Sequence, residues 1–437
     1  MKPGQHHRKR KMRNCVILYF SFVAACVAGT QEPASLVFPP YGHSYGIRKA
    51  TPKHLFMFFG PTTAFDDPQG LATAKMIARD DPSTSKDDDE VVVYGVNSGR
   101  HQLIYNTTMW TLAIYGSKGA GKDQLLNPKG IATDAEGNVV IADWGNNRIV
   151  VLFNPKREVR WVRAFNGKKN ADPGLVHPLQ VVLTKEKNIF VTDSGNHRLV
   201  RFDLQGQVLG TIPSSNQFAF EDGPTTLAIA DGNERWSYFS GERFLVCADR
   251  RGTRLRKVSF DGTLIKAIDV PAGHRTEYAA TDYYHNIWIT DIENHCILKY
   301  DHDLNLLDIF GSKGEGDNQF IEPRGIAIWK RYGQTFIAEK TGAQYYWIGT
   351  KCNSRRLERN AGGSLDVKIG ATEYSYISIF RAQKADTTFL LRRFFIHPGS
   401  ATAAFSDKSG NGQLMLKIEP TYSSYTYYAW YFPMKPQ

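Results

Sequence analysis

The sequence predicts an all-β fold: a six-bladed β-propeller with a small C-terminal β domain. Three observations carry that reading. One strand-turn-strand plan recurs six times, with starts about 45 to 60 residues apart. Two connectors between repeats, GSKGAGKDQLLNP (Gly116 to Pro128) and GSKGEGDNQFIEP (Gly311 to Pro323), are near-copies of each other. The 38 Gly, 25 Phe, 21 Tyr and 8 Trp favour many short strands and tight turns over long helices. A four-stranded unit cannot bury both of its faces alone. Stacking six of them around an axis does so, and leaves only short, protected edges.

In chain order, residues 1–29 read as a secretory signal. Lys2, Arg8, Lys9, Arg10, Lys11 and Arg13 precede an apolar stretch of about 14 residues from Cys15 to Ala28, which ends in small residues. A membrane span wants ~20 residues. The exit has two readings: cleavage after Ala28 or Gly29, or a lipobox, Val23-Ala24-Ala25-Cys26, with Cys26 lipidated. The expected location is secreted, periplasmic or cell-surface, with the lipid anchor as the one route to a membrane. The formal charge of +11 falls to near +5 without the six leader cations, which removes the support for a nucleic-acid partner. Outside the leader, Cys247, Cys296 and Cys352 form neither a disulfide framework nor a CxxC site.

Residues 30–53 are expected as a linker and 54–350 as the propeller. Closure is expected from HLFMFFG (His54 to Gly60), read as a strand pairing with the last blade. The first repeat, PQGLATAKMIARDD onward, carries an acidic insertion at residues 80–90. The second, NPKGIATDAEGNVVIADWGNNRIVVLF, and the third, HPLQVVLTKEKNIFVTDSGNHRLVRF, are the clearest. The fourth contains FLVCADRRGTRLRKVSF, the fifth NIWITDIENHCILKY, and the sixth EPRGIAIWKRYGQTFIAEK. Pro128 to Ile131, Pro323 to Ile326, the strand-turn motifs VVIADWGNNRIVVL and IFVTDSGNHRLVRF, and the paired connectors resemble the NHL repeat family. The resemblance spans roughly residues 55–350 and implies an NHL-type propeller. Residues 351–363 are expected as a polar linker, and 364–437, with six more strand-like runs, as a sandwich-like module.

An Asp-to-Arg pair recurs at a fixed offset in Asp143/Arg148, Asp193/Arg198 and Asp249/Arg254. The acid suits turn amides and the Arg fork suits bracing, so a structural role is the first expectation. The second is a polar and basic rim, formed by Trp144, Asn147, Arg148, His197, Arg198, Arg250, Arg251 and Arg254, which consecutive blades place on one face. These are the candidate contacts for a protein or an anionic glycan.

Propeller enzymes that resemble amidating lyases use His-bound zinc with Tyr and Arg. Here the positions matching His177 are Asn127 and Glu322, and no two His have ligand spacing within one strand. No catalytic residue, metal ligand or cofactor is therefore assigned, although a carbonyl-bound structural Ca²⁺ in the channel is compatible with the fold. No GxSxG elbow occurs, and Gly121-Lys122 is followed by Asp123 rather than Ser or Thr, which excludes a phosphate loop. The expected function is an exported scaffold that binds through one propeller face. The alternatives are a propeller-channel lyase or hydrolase, which predicts a channel pocket with converging acids and His, and a structural component of an envelope or extracellular assembly.

Overall fold

A computed structural model describes residues 34–38, 49–79, 91–108, 111–169, 172–213, 218–360, 362–383, 386–407, 413–422 and 428–432. The leader and the acidic insertion lie outside them. Six antiparallel sheets follow one another at residues 68–115, 131–165, 178–212, 224–269, 279–310 and 326–348. Within each of the first five, strands pair in chain order from the innermost to the outermost. The chain is a six-bladed propeller with a small extra β domain.

Period-two alternation explains the stacking. In the strand Asn138–Asp143, Val139 and Ile141 pack with Val92 and Tyr94 of the first blade. Val140 and Ala142, on the opposite face, pack with Val181 and Val191 of the third. Each inner strand thus serves two neighbours. The near-copy connectors fold alike: each makes a two-residue parallel bridge. Gln124 and Gln319 each accept the N–H of a glycine, Gly121 or Gly316, at 2.9 Å. Gly119 and Gly314, at φ of 151° and 152°, leave those glutamines their space.

Closure differs from expectation. Residues 52–59 form a helix, Pro52–Phe59, not a strand. Proline at its first turn presets helical φ, and the Thr51 N–H donates to His54 Nδ1 at 3.1 Å. The ring is closed by earlier residues. Leu36–Val37 and Lys49–Ala50 both pair with Gly342–Ile348, the third strand of the last blade. Leu36 and Val37 are buried, and Phe38 stacks on Tyr346 at 4.9 Å. The stretch expected as the linker 30–53 therefore holds the closing strands.

A second correction concerns residues 351–363, expected as a linker: Cys352–Arg359 is a strand. It pairs with Leu365–Ala371 in a three-stranded sheet that faces a four-stranded one across a shared core, including Val367, Ile379 and Leu416. This module sits on the propeller through buried groups. Lys299 Nζ, 4.3 Å from the Trp288 ring, donates to Glu373 at 2.5 Å, and Tyr284 stacks on Tyr374 at 4.0 Å. Burial pushes the Glu373 carboxyl up to about 7 against the pull of Lys299. Among the described residues no helix is long and apolar enough to cross a membrane.

Candidate functional site

The turn between the second and third strands of each blade carries the expected rim residues. Asp143 and Asp193 are fully buried, and each accepts the N–H of the incoming connector, from Leu126 and Val176, at 2.7 Å. Arg148 Nε and Arg198 Nε donate to those carboxylates at 2.8 and 2.7 Å. Arg148 also donates to the Ala120 and Gln124 carbonyls, and Arg198 grips Asp172 with both remaining nitrogens. Asn147 Oδ1 accepts the His177 N–H at 2.8 Å, and Trp144 stacks on the His177 ring at 4.5 Å. His197 Nδ1 lies 2.9 Å from the Phe220 carbonyl oxygen. These five side chains bind neighbouring blades to each other.

Arg250, Arg251 and Arg254 are exposed. Arg251 contacts Asp222 at 2.6 Å and Glu221 at 3.7 Å. The expected Asp249/Arg254 pair is replaced by Asp249/Arg256, at 3.5 Å.

The fifth blade keeps the Asp of this motif and changes its partner. Cys296 stands where Arg148 and Arg198 stand in their blades. His274, from the connector, fills the space, with its Nδ1 2.9 Å from Asp291 Oδ2 and 3.8 Å from Cys296 Sγ. Asp291 and Cys296 are buried and His274 half-buried. Burial and the adjacent Asp291 push the Cys296 thiol up to about 12, so it is not an activated nucleophile. A search for His pairs along one strand misses this set, because its members come from a connector and two strands. Cys247, Cys296 and Cys352 are free thiols.

The innermost strands line the channel. Tyr278 of the fifth blade donates to Gln69 Oε1 of the first at 2.5 Å, and Gln180 of the third also hydrogen-bonds it. Alternate blades thus meet on the axis. On the connector side lie Asp67, Lys129, Arg324 and Glu277. Lys129 donates to Asp67 at 3.1 Å, and Arg324 contacts both Asp67 and Glu322. Burial lowers the Lys129 and Arg324 pKa values and raises that of Glu277, toward which Lys129, Arg275 and Arg250 are attracted. Paired shifts of this kind mark candidate acid-base groups.

On the opposite side, the turns joining the first two strands of the blades surround a wider opening. An inner cavity of about 160 Å³ runs along the innermost strands from Gln180 and Tyr278. It shares Thr73, Thr133, Leu183, Glu234, Ile328 and Lys330 with an outer cavity of about 430 Å³. That mouth presents Lys75, Lys185, Lys187, Lys330, Arg235 and Arg331 against Asp134, Glu136 and Glu234, together with Trp236 and Trp329. Lys187 bridges Asp134 and Glu136 at 2.7 and 2.5 Å, and Lys330 pairs with Glu234 at 2.7 Å. The guanidiniums of Arg235 and Arg331 both lie 4.9 Å from the Trp236 ring centroid. No single repeat announces this mouth, since its lining is drawn from five blades.

The NHL repeat family matches residues 125–152, which make up most of the second blade. No curated relative matches the chain. Among solved structures, the chain is similar to a streptogramin B lyase at 13% identity and a TM-score of 0.43, over 65% of this chain and 94% of that one. It is also similar to a gluconolactonase from Xanthomonas campestris (14%, TM-score 0.44, 73% and 99% covered). A third is the calcium-binding protein regucalcin from Agrobacterium tumefaciens (11%, TM-score 0.45, 72% and 96% covered). The propeller itself rests on the six sheets and their shared cores.

Proposed function

We propose that this chain is an exported propeller that binds a small organic anion, an acidic sugar or the end of an anionic glycan, in the mouth of its channel. The observation that carries this reading is the outer cavity of about 430 Å³, with six cationic and three acidic side chains beside two tryptophans. The volume suits a small ligand. The surplus of cations favours an anion, and an indole face suits the apolar face of a sugar ring. Arg250, Arg251 and Arg254 lie on the opposite side and take no part in this reading.

Calorimetry with oligogalacturonate and with its neutral galactose counterpart tests the proposal. Arg235→Ala and Trp236→Ala should each weaken oligogalacturonate binding at least about tenfold, the equivalent of 1.4 kcal/mol. Arg251→Ala should leave it unchanged. Equal binding of the neutral sugar, or equal loss in Arg251→Ala, would overturn the reading.

A second reading, turnover within the channel, is favoured by the opposed shifts of Glu277 and Lys129 at the connector end. Those two groups would exchange a proton with a lactone or acidic-sugar substrate, as a lyase or hydrolase requires. Mass spectrometry of sugar lactones and oligogalacturonate incubated with the chain tests it. Product that forms with the wild type and disappears in Glu277→Gln supports catalysis. Unchanged substrate removes it.

A further inference from the structure

We propose that His274, Asp291 and Cys296 form a zinc site on the fifth blade. Their ligand atoms all lie within 4.8 Å of one another, and two of the three residues are buried. Tetrahedral zinc, with Zn–S of about 2.3 Å and Zn–N or Zn–O of about 2.0–2.2 Å, holds its ligand atoms roughly 3.4–3.6 Å apart. The His274 Nδ1 to Cys296 Sγ distance of 3.8 Å and the His274 Nδ1 to Asp291 Oδ2 distance of 2.9 Å each need only a few tenths of an ångström of adjustment.

The surroundings are already those of a held ligand. Asp291 Oδ1 accepts the Glu293 and Asn294 N–H groups at 3.1 Å. Its Oδ2 accepts the Arg275 N–H at 3.1 Å and the Asn294 side-chain amide at 2.8 Å. These four donors fix the carboxylate when the His274 hydrogen bond is given up, the role that outer hydrogen bonds play around metal ligands. Asn294 also donates to the Gly273 carbonyl, which holds the connector that carries His274.

The other blades show what this set replaces. In the second and third, Asp143 and Asp193 accept from Asn146 and Asn196 in the same way and each holds an Arg, and here the Arg position is Cys296. The borderline-soft zinc ion suits a thiolate, an imidazole and a carboxylate together. Three protein ligands leave the fourth position to water. The thiol gives up its proton on binding, and His274 takes the ion through Nδ1, with its ring N–H on Nε2.

The test is titration of the metal-stripped, reduced full chain with Zn²⁺ against a chromophoric chelator, followed by Co²⁺ substitution. One ion per chain and a sulfur-to-cobalt charge-transfer band are expected. Cys296→Arg recreates the Asp-Arg pair of the second and third blades and is the variant chosen to keep the fold. It should lose the band and weaken binding by more than the about 10–100-fold that loss of an outer hydrogen bond costs. Cys352→Ser should keep both. Absence of stoichiometric zinc in the wild type, or a band that survives Cys296→Arg, overturns the proposal. Should Cys296→Arg fail to fold, the wild-type cobalt band, present or absent in the Cys352→Ser chain, still decides it.

Discussion

The His295 imidazole accepts the backbone N–H of Glu322, in the connector to the next blade, at 2.9 Å. His101 does the same for Asn127 at 3.0 Å, and Asn147 for His177 at 2.8 Å. All three acceptors are left-handed residues, at φ of 56°, 57° and 51°, immediately after a tight turn. The recurrent His and Asn of the repeat are thus latches between blades.

Removing a latch should cost about one hydrogen bond. His101→Ala is expected to destabilise the chain by ~1 kcal/mol. His101→Asn should be nearly neutral, since Asn147 fills the equivalent position. Urea denaturation of the two variants checks both.

The same latch carries a pH dependence. Burial, then Lys118, lowers the His101 pKa from 6.5, opposed by Asp143 and Asp66. The native state therefore binds the proton less readily than the unfolded chain does. The stabilisation from His101 is complete above 6.5 and is lost as the pH falls through the lower folded value. Stability curves of wild type and His101→Asn should diverge below that pH, with the variant the flatter.

Arg198→Ala leaves the fully buried Asp193 without its cation and should cost about 3–5 kcal/mol. Arg251→Ala removes exposed pairs with Asp222 and Glu221 and should cost under about 1 kcal/mol. Equal losses in chemical denaturation would contradict the assignment of Arg198 as a brace.

Glu373→Gln leaves the Lys299 ammonium, 1% exposed, without its carboxylate. A loss of about 3–5 kcal/mol is expected, with much of it recovered in Lys299→Met combined with Glu373→Gln. Limited proteolysis of the C-terminal module should follow the same order.

Closure of the ring makes the earliest described residues essential. Leu36→Ala should cost about 2–5 kcal/mol. A chain beginning at Thr30 should fold, and one beginning at Lys53 should not. Circular dichroism with thermal melting separates these outcomes.

The clearest repeats were legible because alternation along strands such as Asn138–Asp143 reports two buried faces directly. The paired connectors were legible because the same glycines and glutamines impose the same local turn. HLFMFFG misled because a short apolar run fits a strand and a helix equally, and its outcome was set by Pro52 and by the partner that Leu36 and Val37 found in the last blade. The rim residues were located on the right turns, but whether Arg148 faces solvent or a buried carboxylate depends on a connector more than 20 residues away.

Local pattern thus determined the number and kind of blades, and the identity of the residues at each turn. Tertiary structure alone decided which side chains meet. The Tyr278–Gln69 contact, the cationic channel mouth and the His274–Asp291–Cys296 set each join elements distant in sequence or drawn from separate strands and loops. Sequence periodicity reports which face of a strand is buried, and ring closure sets what lies across from it.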